Sequence, residues 1–194
     1  MDDRTWNDPS VQRIRRVVVA LGADLTDQVV FIGGSIAPLL HTSALFDAPR
    51  PTKDLVPAGD HLGSSGQEWD RIAVEHRVAA DLRDGIAAWH ADAPTFLCLK
   101  WAAYNDRGNN DPHTSNDLQD IIALIAARDS LVEEAEASGI VACSFIATQA
   151  AKIVGRADFD DLLAGHLHNS QDPYQVHQLV SAQLTRLSTT RSHS

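Results

Sequence analysis

Two cysteines and one methionine are all the sulfur in this 194-residue chain. Cys98 and Cys143 both lie in apolar stretches, too few for a disulfide framework and wrongly placed for a cysteine metal site, so a reducing compartment is expected. Positive charge is also scarce: 16 Lys and Arg against 26 Asp and Glu leave a formal charge of −10. That balance speaks against broad electrostatic capture of nucleic acid without excluding it, since local groups such as Arg13, Arg15 and Arg16, or Arg50 with Lys53, could still hold phosphates. No hydrophobic run approaches the ~18 residues of a membrane span. The opening MDDRTWNDPS carries acidic and polar residues where a secretion signal has a basic region and then an apolar run. The expectation is a cytoplasmic protein without membrane association.

What is present suffices for a packed core. With 44% hydrophobic and 22% charged residues the composition is that of an ordinary globular protein, which excludes disorder, a collagen-like repeat or a coiled-coil rod as the main organisation. A chain of this length forms one large domain or two small ones and buries roughly 70% of its unfolded surface. No internal repeat or low-complexity tract interrupts it.

Hydrophobic spacing places the elements. Residues 9–23 carry Val11, Ile14, Val18 and Leu21 at helical spacing after a Pro-Ser start, which predicts an amphipathic helix with outward arginines. Residues 27–32, DQVVFI, predict a buried strand ended by Gly33 and Gly34, after which Ser35 could cap a helix through Ile36, Leu39 and Leu40. Residues 43–66 read mostly as loop, with a short extended candidate over 52–56. A helix passing into a strand is expected over 68–78, a hairpin around Asp84-Gly85, and an apolar helix opened by Pro94. Leu118, Ile121, Ile122 and Ile125 mark the clearest helix, over 116–128, and short helices are expected over 130–136, 142–154, 158–166 and 173–187. The fold class expected is α/β (α+β): a reduced mixed sheet flanked by helices over residues 1–95, then a helical C-terminal region over 96–194.

Few residues offer chemistry. Gly33, Gly34 and Ser35 form a turn whose amide groups could approach a phosphate at a helix start, or could serve only a sharp reversal of the chain. Asp54 could hold Mg²⁺, but side chains alternate along a strand, so a second ligand on its face would belong at Val56. Asp60 suits a turn. Lys100 is the single charge in an apolar helical run and needs an anion, which a nucleotide phosphate would supply, unless its stem carries the ammonium out to solvent. Asp117 and Asp120, three apart, share a helix face and could meet Lys100 or a ligand. They could equally serve capping, since Asn116 with Gln119, or Asp117 with Asp120, has capping-box spacing. No two of the nine histidines stand four apart as in a helical zinc motif, and no serine has the setting of a nucleophile elbow.

Taken together and in order, FIGGSIAPLL, RPTKDL, APTFLCLKWAAYNDRG and SNDLQDIIALI resemble the nucleotidyltransferase-like toxins of the AbiEii type, found in bacterial toxin–antitoxin and phage-defence operons. The family's Gly-Ser turn falls on Gly34 and Ser35, the lysine of its apolar helix on Lys100, and its Gly-containing loop on Arg107 and Gly108. Its Ser-x-Asp-x-x-Asp-Ile helix start falls on Ser115, Asp117, Asp120 and Ile121. The match runs from about Val29 to Ile125. The chain departs from the family in two ways. Val56 stands where the second acid of the Asp-x-Asp pair belongs, and a strand-helix-strand piece is missing between Thr52 and Leu55, so Asp54 corresponds either to the first acid of that pair or to the family's later third acid.

The resemblance implies an enzyme that transfers a nucleotide from an NTP, in some members onto the acceptor end of tRNA, and that a cognate antitoxin protein neutralises. Asp54, Lys100 and Asp117 would be catalytic, with Asp54 on Mg²⁺. Gly33, Gly34, Ser35, Lys53, Arg107 and Asp120 would contact the nucleotide, and a basic patch of Arg50, Lys53 and Arg107 would meet tRNA. The competing expectation is a relative without transferase activity that binds a nucleotide or a partner protein.

Overall fold

The computed structural model describes residues 3–43, 56–57, 67–108, 111–168, 170 and 172–191. The chain divides into two compact units, Met1–Leu40 with Ala48–Leu99, and His41–Asp47 with Lys100–Ser194.

The first unit holds a mixed sheet with helices packed on it. Helices α1 (Asp3–Trp6), α2 (Pro9–Leu21) and α3 (Ala23–Thr26) precede strand β1 (Val30–Ile32). Asp8 starts α2 by accepting from the amide of Ser10, and the spacing of Val11, Ile14 and Val18 becomes its buried stripe. Arg15 pairs with Asp84 at 2.8 Å, and Arg16 is exposed. All three residues of β1 are buried, as an apolar run closed by glycine requires. Gly33, at φ 79°, begins a 3-10 turn over Gly34–Ile36 that runs into α4 (Ala37–Leu40). Ser35 therefore lies inside the turn and is not the helix cap expected of it; Gly33 holds that position because the backbone there is left-handed.

Strand β2 (Val56–Pro57) pairs antiparallel with β1, Ile32 opposite Val56 and Phe31 opposite Pro57. Residues 52–55 of the expected extended segment lie outside the described residues. Helix α5 (Gln67–Glu75) leads into β3 (Arg77–Asp81), which turns back as β4 (Ala87–Ala91). The turn uses three left-handed residues in succession, Arg83, Asp84 and Gly85, and the amide of Leu82 donates to the carbonyl of Ile86 at 2.8 Å. Strand order is β2-β1-β4-β3, with β1 and β4 parallel. Helices α2 and α5 both pack against β4, burying Val11, Ile14, Trp69, Ile72 and Ala73.

Helix α6 (Ala93–Ala103) carries Pro94 in its first turn, and the Asp92 side chain caps it by accepting from the amide of Thr95 at 2.9 Å. The boundary between the units falls within α6, after Leu99. A π turn over Tyr104–Gly108 follows.

The second unit is helical: α7 (Asn116–Ala127), α8 (Leu131–Ala137), α9 (Ile140–Val154), α10 (Phe159–Leu167) and α11 (Pro173–Thr189). Its core is Leu118, Ile121, Ile122 and Ile125 of α7, Cys143, Ile146 and Ile153 of α9, and Val176, Val180 and Leu184 of α11. Ser115 is the cap of α7, accepting from the amide of Leu118. That displaces the expected capping by Asn116 or Asp117: the helix starts at Asn116, one or two residues earlier than such a cap requires, and Asp117 turns inward. An early segment of the chain closes on the far end of α7, where the amides of Thr42 and Ser43 donate to the Ala127 carbonyl at 2.8 and 2.9 Å and the Thr42 hydroxyl reaches the same oxygen at 3.2 Å. Among the described residues no single helix is long and apolar enough to cross a membrane.

Candidate functional site

Helix α6 is apolar on nearly every side, and Lys100 is its one charged residue. Only 9% of Lys100 is exposed, so its ammonium has left water and needs anionic partners nearby. Helix α7 supplies two. Asp117 and Asp120 project from one face of its first turns, with Asp117 Oδ1 3.3 Å and Asp120 Oδ2 2.5 Å from Lys100 Nζ. Asp117 is itself buried.

One ammonium between two carboxylates leaves an excess negative charge, which Arg107 cancels. From the π turn its Nε donates to Asp117 Oδ2 at 3.0 Å and its Nη2 to Asp117 Oδ1 at 3.2 Å, the forked geometry that suits guanidinium and carboxylate. Unlike its partners, Arg107 is open, with 72% of its side chain exposed. Two of the five guanidinium donors are used on Asp117, and the other three have no partner among the described residues. The cluster is a neutral set of two cations and two acids in which the cation a solute meets first is Arg107. Lys100 lies beneath, its donors turned to the acids.

Of the residues singled out in the sequence, Lys100, Arg107, Asp117 and Asp120 thus come together within the second unit. Gly33, Gly34 and Ser35 belong to the first unit. Ser35 is fully buried, its hydroxyl 3.5 Å from the Ile32 carbonyl. Lys53 and Asp54 lie outside the described residues, as do Arg50 and Asp60. Both oxygens of Asp117 and Oδ2 of Asp120 are already held by cations, so the pair makes a poor cage for Mg²⁺. Among the described residues no group of three or more His, Cys, Asp or Glu could hold a metal ion. Cys98 is no nucleophile in waiting: burial, with the charge of Asp92 adding to it, pushes its thiol well above the usual range.

A second polar cluster escaped the sequence reading. Arg156 grips Asp158 with two donors, both at 2.8 Å, and His113 Nε2 stands 3.3 Å from the same carboxylate. The Arg156 hydrogen bonds hold Asp158 down at a pKa of about 2. Tyr104, one turn beyond Lys100 and edge-on to Trp101 at 5.9 Å, buries its hydroxyl without a hydrogen-bond partner. Burial raises that phenol's pKa, Asp158 adds to the effect and Arg156 opposes it. His166 donates from Nε2 to the Pro112 carbonyl at 2.9 Å, and burial lowers its pKa. These partners come from three separate stretches of chain, and no local pattern announces them.

Compared with known proteins, the chain matches no family model, no curated protein and no solved structure.

Proposed function

We propose that this chain is the NTP- and Mg²⁺-dependent, nucleotidyltransferase-like toxin component of a toxin–antitoxin system, acting on tRNA in the cytoplasm and neutralised by a cognate antitoxin protein. The observation that carries the reading is the guanidinium of Arg107, held from behind by buried Asp117 with three donors turned outward. Such a fork is a ready partner for the oxygens of a triphosphate. Asp117 positions Arg107, and Lys100, paired with both acids, holds them in place. Nucleotidyl transfer asks the protein mainly for positioning and charge neutralisation, which suits a rigid cationic fork better than a mobile surface lysine. The resemblance alone implies Asp54 as the Mg²⁺ ligand and the Gly33-Gly34 turn as a phosphate-binding element; Ser35, fully buried with its hydroxyl toward the Ile32 carbonyl, supports that turn from within.

The test is incubation with labelled NTPs, Mg²⁺ and total tRNA, comparing the natural chain with Arg107→Ala and Asp54→Ala. Label should pass to RNA, and Arg107→Ala, at an exposed position, should lower transfer on the order of tenfold or more while the protein stays folded. A chain that neither transfers label nor binds NTP refutes the proposal.

One observation favours the second reading, binding without transfer. Val56 stands in β2, paired with Ile32, at the place of the family's second acid. On that reading NTP binds, binding weakens in Arg107→Ala, and no label moves at any Mg²⁺ concentration.

A further inference from the structure

The sheet of the first unit ends in two unequal edges. On one side β2 is two residues long and includes a proline, which blunts it against further pairing. On the other side lies β3, five residues of sequence Arg-Val-Ala-Ala-Asp, paired on one side only among the described residues. Its pairing with β4 sets Ala79 opposite Trp89 and Asp81 opposite Ala87. Because Leu82 donates to Ile86 at the turn, the amide and carbonyl groups of Leu82, Ala80 and Val78 face β4. Those of Arg77, Ala79 and Asp81 therefore face away from it, along the open edge.

This edge is complementary to itself. If two copies align antiparallel about a two-fold axis through Ala79, each outward-facing residue meets an outward-facing residue. Ala79 then opposes Ala79 of the other copy, and Arg77 opposes Asp81 at both ends. All three of these pairs can exchange both main-chain hydrogen bonds, and the charges at the strand's two ends fall opposite their counter-charges. On the alternate face Val78, 40% exposed, comes to lie against Ala80 of the second copy. Arg77 is already laid over the Trp89 ring, 4.7 Å from its centroid, which fixes its stem on the face it shares with Ala79 and Asp81. A shift of register by one or two residues loses both ion pairs.

We propose that the open edge of β3 pairs with β3 of a second copy of this chain, joining two four-stranded sheets into one eight-stranded sheet across an isologous interface. The experiment is sedimentation of the full chain over a concentration series, natural and altered. Arg77→Asp alone places two pairs of like charges across the axis, and Asp81→Arg alone does the same with opposite sign, so each should weaken self-association on the order of tenfold or more. An equimolar mixture of the two variants should regain the dimer, since each acidic edge then meets a basic one. Ala79→Pro should give a monomer with unchanged circular dichroism, because the amide it removes does not face β4. A natural chain that stays monomeric at the highest attainable concentration overturns the proposal, even if another protein's strand is found on this edge. So does a dimer indifferent to Ala79→Pro, or a variant mixture no more associated than its components.

Discussion

Lys100 is worth more to the fold than its single charge suggests. Replacing it with methionine leaves Asp117 and Asp120 facing each other in a buried site with only Arg107 to compensate, and should cost about 3–5 kcal/mol of unfolding free energy. Arg107→Gln, at an exposed position, should cost no more than about 1 kcal/mol. Urea denaturation of the two variants checks the contrast, and equal losses would show that the buried ammonium is not the keystone. Acid acts elsewhere. His166 has its folded pKa below the ordinary 6.5, so the unfolded chain takes up the proton first, and stability should fall as pH drops below that value. Melting temperatures measured from pH 8 to about pH 5 should decline less steeply in His166→Gln. Asp158 adds a second, lower window: its carboxylate stabilises the fold above the ordinary range and loses that contribution as pH falls toward about 2. At this scale the sequence was informative where one helix face or one odd residue carried the signal. Lys100 stood out as a lone charge, and the three-residue step from Asp117 to Asp120 put both acids on one side. The grip of Arg107 on Asp117 was illegible, because it depends on a π turn that no residue in Tyr-Asn-Asp-Arg-Gly specifies.

Among the elements, the start of α7 sets the geometry of the acids. Ser115→Ala removes the acceptor for the Leu118 amide and should cost about 1 kcal/mol; thermal unfolding measures it. If the cap also orients the acids, NTP affinity should fall with it. Long helices with a clear apolar stripe were readable to within a residue or two, as α7, α9, α10 and α11 show. So was the hairpin, since Asp84-Gly85 tolerates the left-handed backbone its turn demands. What could not be read was partnership among strands. The parallel pairing of β1 with β4 joins residues about sixty positions apart, and nothing in the three residues Val-Phe-Ile names the distant strand. The turn after β1 misled for a related reason: serine is a good cap, yet Gly33 alone could take the backbone conformation the chain needed.

On the scale of the whole molecule, the boundary between the two units lies inside α6, after Leu99, and Thr42 and Ser43 belong to the second unit. A fragment of residues 96–194 lacks Thr42 and Ser43 and leaves the Ala127 carbonyl without three donors. It should therefore melt less cooperatively than the full chain, and a fragment as sharp in its transition as the parent would show the early segment to be dispensable. That segment also imposes an order of events at the ribosome. Thr42 is made 85 residues before the oxygen it must reach, which at about 5–20 residues per second is a delay of roughly 4–17 s. For that interval the nascent chain carries a clasp with nothing to fasten, and translation speed through α7 decides how long it stays open.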